Sequence, residues 1–188
     1  MNSEQYDPTK AKGCTLGNKL RRLLWSTVNS TIFRYSPFFC YGWRRFLLRC
    51  FGAKIASSAT IGRRAVIDAP WYLTMGERAM ICSDAWVSCA GYVDIGDQSM
   101  VGAFARVLSG SHDSNSNNFK PTWTRIEIEK NCWIATGAMV IGGGRKVLKI
   151  GEGAIIGAGA VVFTNVKPNA IMVGNPAAKI AERSLDNE

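Results

Sequence analysis

Aliphatic residues recur at every sixth position over most of the chain. The period is clear in Ile55, Ile61 and Ile67, returns in Ile95 and Val101, and continues with interruptions to residue 162. A glycine, an alanine or another small or acidic residue usually follows each aliphatic one. An α-helix would give a period of about 3.6 residues, and a half-buried strand a period of about two. The six-residue period indicates a stack of short structural repeats.

A β-helix gives this period a physical explanation. Three units make one triangular coil, in which each aliphatic side chain points into a narrow prism and small residues allow the tight corners. Stacked coils pair through their backbones and bury a continuous apolar column. The predicted fold class is therefore all-β, a parallel β-helix of hexapeptide repeats. Its handedness does not follow from the period.

Two segments interrupt the repeat. The first, residues 110–125, reads GSHDSNSNNFKPTWTR and is too polar and too rich in Asn, Ser and Pro to continue a coil. We expect it to protrude as a loop, and such loops often carry function. The second, GGGRKVLKI at 142–150, is shorter. Beyond Val162 the pattern ends, and we expect an extended crossover followed by a final helix.

Two amphipathic helices are predicted before the repeat. The first begins at Leu20 with apolar residues at four-residue spacing, and the second runs from Trp43 until Gly52 ends it. Both carry arginines beside their apolar stripes. An N-terminal helical cap on the β-helix is therefore part of the predicted fold. Residues 1–18 are polar and are expected to form a mobile lead-in.

The net charge of +9 is concentrated in the predicted cap, because residues 19–54 contain eight Lys or Arg and no Asp or Glu. Two compatible interpretations exist. The helices pack on the domain with their cations in solvent, or their outer side makes peripheral contact with anionic lipid. Nucleic-acid binding is not predicted, because the charge lies on amphipathic helices without a recognised reader motif.

The chain is long enough for one well-buried domain. We predict a lead-in at 1–18, a basic helical cap at 19–54, a β-helix at 55–180 with the loop 110–125, and a tail at 181–188. No apolar run reaches the roughly 18 residues of a membrane span, and no secretory signal pattern is present. A cytoplasmic location is expected, and under the lipid-contact interpretation the cap lies at the inner face of the membrane. The six cysteines lack metal-site spacing, so no metal is predicted.

The chain resembles the hexapeptide-repeat acyltransferases, and within them the colanic acid or exopolysaccharide biosynthesis acetyltransferases. The motifs are NKLRRLLW, GWRRFLLRCFGAKI, APWYLTMG, SGSHD and VGNPAAKI, spread over residues 18–180. The resemblance implies a left-handed β-helix and a homotrimer with active sites between neighbouring prisms. It also implies acetyl-CoA as co-substrate and direct O-acetylation of a sugar hydroxyl in a surface or exopolysaccharide precursor.

His112 is the candidate general base. Transfer of acetyl to an alcohol needs a base, because the free hydroxyl is a weak nucleophile at neutral pH. His112 is the only histidine and lies where the loop leaves the repeat. A histidine in a polar loop is otherwise an ordinary surface residue, so the resemblance carries this assignment. Since neutral imidazole is the active form, activity should rise as the ring loses its proton.

The resemblance also implies the binding residues. Trp133, Thr136 and Ala158 occupy positions that contact the pantetheine arm of CoA, although packing or corner geometry would explain the same residue types. The lysine expected near the nucleotide phosphates is replaced by Thr164, for which Lys167 would substitute. In the acceptor site, Asp84 stands where simple-sugar relatives have asparagine, and an ordinary turn aspartate is the alternative.

Two other functions remain open from the sequence. The acceptor could be a free small molecule, such as a simple sugar, an antibiotic or a nucleotide-sugar. The chain could instead be a non-enzymatic β-helix scaffold. A carbonic-anhydrase-like metal site would need three histidines, and the chain has one.

Overall fold

The computed structural model describes residues 16–116 and 118–184. Helix α1 (Leu16–Val28) continues into a π-helical segment, Asn29–Phe33, and helix α2 (Tyr41–Cys50) follows it. A three-residue 3-10 turn, Pro70–Tyr72, lies within the first coil. Most of the remaining described chain is a triangular prism of short parallel strands. The expected β-helix with a helical cap and a protruding loop is therefore confirmed.

Each face of the prism is a parallel sheet in which one strand comes from each coil. The first face contains β1 (Lys54–Ile55), β4 (Leu73–Met75), β7 (Val93–Ile95), β12 (Arg125–Ile128) and β15 (Val147–Ile150). The second contains β2 (Thr60–Ile61), β5 (Met80–Ile81), β8 (Met100–Val101), β13 (Trp133–Ile134), β16 (Ile155–Ile156) and β18 (Ala170–Val173). The third contains β3 (Val66–Ile67), β6 (Trp86–Ser88), β9 (Arg106–Leu108), β14 (Met139–Ile141) and β17 (Val161–Val162).

The aliphatic position of each hexapeptide points into the prism. Ile61, Ile81, Val101 and Ile134 are completely buried and stack from coil to coil on the second face. The register pairs Ile55 with Met75, so an uninterrupted coil takes 20 residues rather than 18. The two extra residues lie at the corner between the third and first faces. That corner is therefore the roomiest of the three.

The other two corners are tight left-handed turns. Each contains a residue with positive φ, such as Asp84 (62°) between the second and third faces or Asn131 (59°) between the first and second. The amide of this residue donates to the previous coil, as Asp84 N–H does to the carbonyl of Arg63 at 3.3 Å. The small second residue of the repeat is needed for clearance. A Cβ on Gly62 would lie 2.3 Å from the backbone nitrogen of Ser83 in the next coil.

Side chains of the helices donate hydrogen bonds to the open edge of the first coil. In later coils, inward-facing residues accept backbone hydrogen bonds from the preceding coil, as the Ile81 carbonyl does from Gly62 N–H at 2.7 Å. The first coil has no coil before it, and side chains of α1 and α2 donate instead. The bonds are Arg49 Nη2 to Ile55 O (2.7 Å), Arg44 Nε to Ile61 O (2.6 Å) and Trp25 Nε1 to Ile67 O (2.6 Å). One carbonyl on each face is thereby capped.

Arg44 also organises the turn between the helices. Its side chain is completely buried and donates to Ser36 Oγ at 2.8 Å, Pro37 O at 2.9 Å and Phe38 O at 2.8 Å. Burial lowers the pKa of the guanidinium from its usual value, while Cys40 and Tyr41 act in the opposite direction. With several acceptors and no acid among its bonded partners, Arg44 is a buried cation stabilised by backbone dipoles.

The chain termini differ from expectation in two places. The first helix begins at Leu16, so the predicted lead-in 1–18 overlaps it, and residues 1–15 lie outside the described residues. After the last coil, β18 turns back into antiparallel β19 (Ala178–Glu182) instead of forming the expected final helix. This hairpin lies on the second face, where β18 pairs with β16. Of the predicted tail, residues 185–188 are outside the described part.

Replacing Arg44 should destabilise the protein strongly. Arg44→Met removes the cation and leaves the carbonyl of Ile61 and two turn carbonyls without their donor. We expect a loss of about 3–5 kcal/mol in the free energy of unfolding, as for other broken buried charge networks. Urea unfolding followed by circular dichroism measures it.

Arg45→Met is the matched control. Arg45 is only partly buried and donates one hydrogen bond, to the carbonyl of Ala59 at 2.8 Å. Its loss should cost about 1 kcal/mol. Equal destabilisation by the two substitutions would contradict the central role given to Arg44.

Candidate active site

His112 lies on a β-hairpin at the roomy corner between the third and first faces. The hairpin pairs β10 (Gly110–His112) with β11 (Pro121–Trp123), and His112 stands opposite Pro121. It leaves the prism after β9 and returns at β12. Its base is fixed by Thr124 N–H, which donates to the carbonyl of Ser109 at 2.8 Å. The protruding loop thus presents an exposed imidazole on an ordered strand.

The imidazole of His112 is held by a backbone carbonyl. Its Nδ1 lies 2.6 Å from the carbonyl oxygen of Phe119. A carbonyl can only accept a hydrogen bond, so Nδ1 carries the proton and donates it. Nε2 of the neutral ring is then left with its lone pair. This is the tautomer that a general base acting through Nε2 requires.

Asp113 does not orient His112 in this structure. Its Oδ1 accepts a hydrogen bond from Asn115 N–H at 2.9 Å, which closes a local turn. Its own N–H donates to the carbonyl of Lys120 at 2.9 Å. Asp113 therefore shapes the tip of the hairpin, and the carbonyl of Phe119 positions the ring.

An aromatic cleft of about 530 Å³ lies at the same corner as the hairpin. Its lining residues are Arg22, Asp68, Trp71, Tyr72, Ser88, Cys89, Ala90, Gly91, Tyr92 and Trp123. Trp123 is 66% exposed and stands opposite Gly110. Because side chains alternate along a strand, Trp123 and His112 project from the same side of the hairpin. Trp123, which lines the cleft, thus lies on the same side of the hairpin as the imidazole, although His112 is not itself a lining residue.

The cleft combines flat apolar surfaces with a few polar groups. Tyr72 and Tyr92 pack edge to face with ring centroids 5.1 Å apart. The guanidinium of Arg21 lies 4.3 Å from the ring centroid of Trp71. Asp68 accepts hydrogen bonds from the indole of Trp86 at 3.2 and 3.3 Å. Aromatic walls with few polar groups are typical of sites for ring-shaped organic ligands.

The thiol in the cleft is not a nucleophile. Burial is the main cause that raises the pKa of the Cys89 thiol far above its usual range, and the charge of Asp68 adds to the effect. Cys89 therefore stays protonated at neutral pH and is inert toward acyl groups. Burial also raises the pKa of Cys82.

A smooth strip lies along the corner between the second and third faces. In the early coils this corner carries large side chains at its positive-φ position, the last being exposed Phe104. In the next two coils the position is Gly137 (φ 68°) and Gly159 (φ 66°). A Cβ on Gly159 would meet open space, so this glycine permits the turn and also leaves the surface bare.

Thr136 and Ala158 lie in adjacent coils along this strip, and both are exposed. Gly159 N–H donates to the carbonyl of Thr136 at 3.0 Å. Among the hydrogen bonds of residues 16–116 and 118–184, the amides of Thr136 and Ala158 have no backbone partner. The strip can therefore accept an extended chain close to its backbone, as the predicted contact with a pantetheine arm requires.

The remaining predicted binding residues are exposed at different places. Trp133 projects outward from the second face, between Met100 and Ile155 of neighbouring strands. Thr164 lies beyond the end of β17, and Lys167 follows the bridge that links Val166 to Ile150. These residues do not form one cluster with Thr136 and Ala158. Their contacts with CoA stay predictions.

Asp84 is occupied by an intramolecular ion pair. Its Oδ1 and Oδ2 accept hydrogen bonds from Arg64 Nε at 2.7 Å and Nη2 at 2.6 Å. The hydrogen bonds from Arg64 hold the pKa of Asp84 below its usual value, with further help from Arg63 and Arg34. Both residues take the left-handed corner position in successive coils. This geometry explains Asp84 as a turn residue, and its contact with substrate stays a prediction.

The predicted site residues do not converge within one prism. His112 lies at the corner between the third and first faces, whereas Thr136, Ala158 and Asp84 follow the corner between the second and third. A face of the prism separates the two corners. A site that joins His112 to the smooth strip therefore requires a second copy of the chain.

The sequence did not single out the cleft residues Trp71, Tyr72 and Tyr92, nor the carbonyl of Phe119. A usable signal was the eight-residue spacing from Ile67 to Met75, where aromatic residues fill the longer corner. The role of Phe119 rests on a backbone atom, so no side-chain pattern could have revealed it.

Comparison with known proteins supports the resemblance seen in the sequence. The chain is 39% identical over 172 residues to WcaF of Escherichia coli K12, whose name describes a colanic acid biosynthesis acetyltransferase, with 92% of each chain covered. It is 46% identical to a chloramphenicol acetyltransferase of Klebsiella aerogenes over 61 residues, which are 32% of this chain and 27% of that one. No protein-family model matches the chain.

Solved structures share the fold at low sequence identity. A hexapeptide-repeat acetyltransferase of Vibrio cholerae, solved with acetyl-CoA, has a TM-score of 0.78 at 19% identity and covers 90% of this chain and 91% of its own. A galactoside acetyltransferase in complex with coenzyme A has a TM-score of 0.79 at 20% identity, covering 89% and 83%. These likenesses confirm the predicted left-handed β-helix.

The Asp84–Arg64 pair should give a pH-dependent contribution to stability. Because the folded-state pKa of Asp84 is lowered, the contribution is present at neutral pH and is lost as the pH falls below about 4. Asp84→Asn should therefore reduce the free energy of unfolding by about 0.5–1 kcal/mol at pH 7, a small value because the pair is partly exposed. At pH 3 the two proteins should differ less.

Urea unfolding of wild type and Asp84→Asn at both pH values checks this. A difference that stays constant between pH 7 and pH 3 would show that the ion pair is not its source. The acceptor KM of the same variant tests the substrate-binding prediction, since a turn residue should leave KM unchanged.

Proposed function

Because the chain belongs to the hexapeptide-repeat acetyltransferases, in the branch of the colanic acid biosynthesis acetyltransferases, we propose that it transfers acetyl from acetyl-CoA to a sugar hydroxyl. The acceptor is a surface or exopolysaccharide precursor. The observation that carries this proposal is His112, whose Nδ1 is fixed by the carbonyl of Phe119 on a hairpin whose Trp123 lines an aromatic cleft. That geometry supplies a base next to a place for a sugar ring.

His112 acts on the acceptor hydroxyl through Nε2. The ring takes the hydroxyl proton as the oxygen attacks the thioester carbon, so an O–C bond forms and the C–S bond breaks. The imidazolium then gives its proton to the departing sulfur, and His112 returns to its neutral state. The bond from Nδ1 to Phe119 O persists throughout and stabilises the transient positive charge. Such base catalysis contributes about 10²- to 10⁴-fold in rate.

The smooth strip is the proposed binding place of acetyl-CoA. Its glycine positions let the pantetheine arm approach the backbone, and the amides of Thr136 and Ala158 can hydrogen-bond to it. Trp133 would flank the arm, while Thr164 and Lys167 would lie toward the nucleotide phosphates. The proposal uses acetyl-CoA as a co-substrate and assigns no residue to a metal.

A homotrimer is the proposed assembly. Outward-facing residues of the second face form an apolar ladder in which each residue pairs with the next: Met80, Met100, Trp133, Ile155 and Ile171. The first face is polar at the equivalent positions: Lys54, Thr74, Asp94, Glu127 and Lys149. The difference supports burial of the second face against another copy. Cyclic symmetry would then bring His112 of one protomer to the strip of its neighbour.

The aromatic cleft is the proposed acceptor site. Trp123 and Tyr92 offer flat faces on which a sugar ring can stack, while Asp68 and Arg22 supply polar contacts at the wall. A cleft of this kind binds the body of the acceptor and leaves one hydroxyl at Nε2 of His112. This location differs from the predicted contact at Asp84, which belongs to another corner.

We propose a cytoplasmic location, with residues 19–54 in peripheral contact with the inner face of the membrane. No helix among the described residues is long and apolar enough to cross a bilayer. The contact would therefore be made from one side, by a surface that lies on the lipid headgroups.

His112→Ala should abolish most of the activity. We expect kcat to fall by about 10²- to 10⁴-fold with little change in the KM of acetyl-CoA, because the base acts in the transition state. Thiol release from acetyl-CoA measures turnover, with extracted glycolipids and soluble sugars as parallel acceptors.

Lys120→Ala is the control, since Lys120 is exposed on the same hairpin and the structure uses only its backbone. It should retain activity within about twofold. Turnover with soluble sugars but not with glycolipid would point to a free small acceptor. Equal turnover by wild type and His112→Ala would refute the assignment of the base.

Two inactive variants should restore activity when they assemble together. Ala158→Trp covers the smooth strip, and His112→Ala removes the base, so each homotrimer is inactive. In a cyclic trimer with shared sites, every mixed assembly has one intact site, and random mixing of equal amounts restores about a quarter of all sites. Refolding the mixture and assaying thiol release tests this. Activity no higher than that of the separate variants would show that each site lies within one protomer.

A further inference from the structure

The helical cap exposes an aromatic surface that the proposed reaction does not use. Tyr35 is 73% exposed, Phe38 and Phe39 are each 66% exposed, and Phe46 is 55% exposed. Together with two neighbours they form what we call the aromatic patch: Ile32, Tyr35, Phe38, Phe39, Trp43 and Phe46. Six large apolar side chains in one short segment exceed what scattered surface residues would give.

The patch is held in place by buried bonds. Arg44 donates to the carbonyls of Pro37 and Phe38, and Ser36 Oγ donates to Phe33 O at 2.7 Å. The indole of Trp43 donates to the carbonyl of Ile32 at 3.3 Å and stacks on Phe46. The exposure of these rings is therefore built into the cap. A surface that is ordered in advance binds with a smaller loss of conformational entropy.

The charged residues of the sequence around the patch are all Lys or Arg, and the carboxylate of Asp84, on which Arg34 and Arg63 act, is paired with Arg64. No Asp or Glu occurs between residues 8 and 67, whereas the described part of that stretch contains ten Lys or Arg. Arg44, Arg45 and Arg49 are engaged with backbone carbonyls. Arg34 and Arg63 are exposed close to one another, because Arg64 N–H donates to the carbonyl of Arg34 at 3.1 Å. The patch is thus bordered by cations.

We propose that the aromatic patch docks into the headgroup region of an anionic phospholipid bilayer. Aromatic side chains favour this region because their rings tolerate an interface that is apolar on one side and wet on the other. Basic residues beside them gain roughly fivefold in affinity each near an anionic surface. A second copy of this chain would meet the same positive charge, which opposes that occupant. The inference rests on the proposed contact of residues 19–54 with the membrane, and not on the reaction.

Assembly would multiply the contact. A cyclic trimer turns each protomer about one axis, so all three aromatic patches face the same direction along that axis. Once one patch has docked, the others are held at high local concentration above the bilayer. A weak contact per protomer then suffices for stable peripheral binding.

Vesicle flotation of the full-length protein tests the proposal. Wild type should bind vesicles of phosphatidylcholine with 30% phosphatidylglycerol at least about tenfold more than pure phosphatidylcholine, and less at high salt. The Phe38→Ser and Phe39→Ser double variant should lose about tenfold or more, because both rings leave the interface. Arg34→Gln should weaken binding roughly fivefold.

The control substitutions remove the same kinds of side chain from other parts of the chain. Phe104→Ser and Phe163→Ser remove two exposed rings from the prism, and Arg145→Gln removes an exposed cation from the 142–150 turn. They should leave vesicle binding unchanged. Equal binding by wild type and the Phe38/Phe39 variant, or no binding by wild type, overturns the proposal. Association of trimers without lipid would also overturn the proposal if the Phe38/Phe39 variant abolished it. The occupant of the patch would then be a second copy of the chain.

Two assays distinguish failure of the membrane-docking proposal from failure of the proposed acetyl transfer. Thiol release with a soluble acceptor should be the same for wild type and the Phe38/Phe39 variant, because the patch lies outside the proposed site. Vesicle binding should in turn be unaffected by His112→Ala. Loss of vesicle binding with normal turnover therefore concerns the patch alone.

Discussion

The prism depends on backbone hydrogen bonds between successive coils. An extended strand cannot satisfy its own backbone hydrogen bonds, so each of these strands, two to four residues long, relies on the coils beside it. The requirement explains the left-handed corners, where residues such as Asn131 donate back to the previous coil. It also explains the cap, because the first coil has no predecessor. Arg49, Arg44 and Trp25 supply the donors that a preceding coil would have supplied.

The proposed site residues lie where this regularity is relaxed. The roomy corner admits the aromatic cleft and the hairpin that carries His112, whereas the tight corner becomes a bare strip at Gly137 and Gly159. The two features are separated by a face of the prism. In the proposed trimer, the packing of copies would combine these two parts into one site, and the apolar ladder of the second face would then matter for catalysis.

The six-residue period was sufficient to predict a parallel β-helix, because it reflects burial of Ile61, Ile81 and their equivalents in a column, whereas the left hand came from the family resemblance. His112 was identifiable as a unique residue at the edge of an interruption. Other features depend on three-dimensional placement. The pairing of Asp84 with Arg64 joins residues one coil apart, and the carbonyl partner of His112 is a backbone atom. The expected final helix was wrong, since pairing of β19 with β18 outweighed the local pattern.

The side chains that donate hydrogen bonds to the first coil also affect whether molecules associate end to end. An open end of a β-helix presents unpaired carbonyls. The complementary amides at the opposite end of another molecule could pair with them and continue the stack. Repeated addition of this kind leads to fibres. The cap donates hydrogen bonds to the carbonyls of Ile55, Ile61 and Ile67, so these carbonyls are no longer free to pair with another molecule. Arg49, Arg44 and Trp25 therefore disfavour the stacking of another chain on this end of the column.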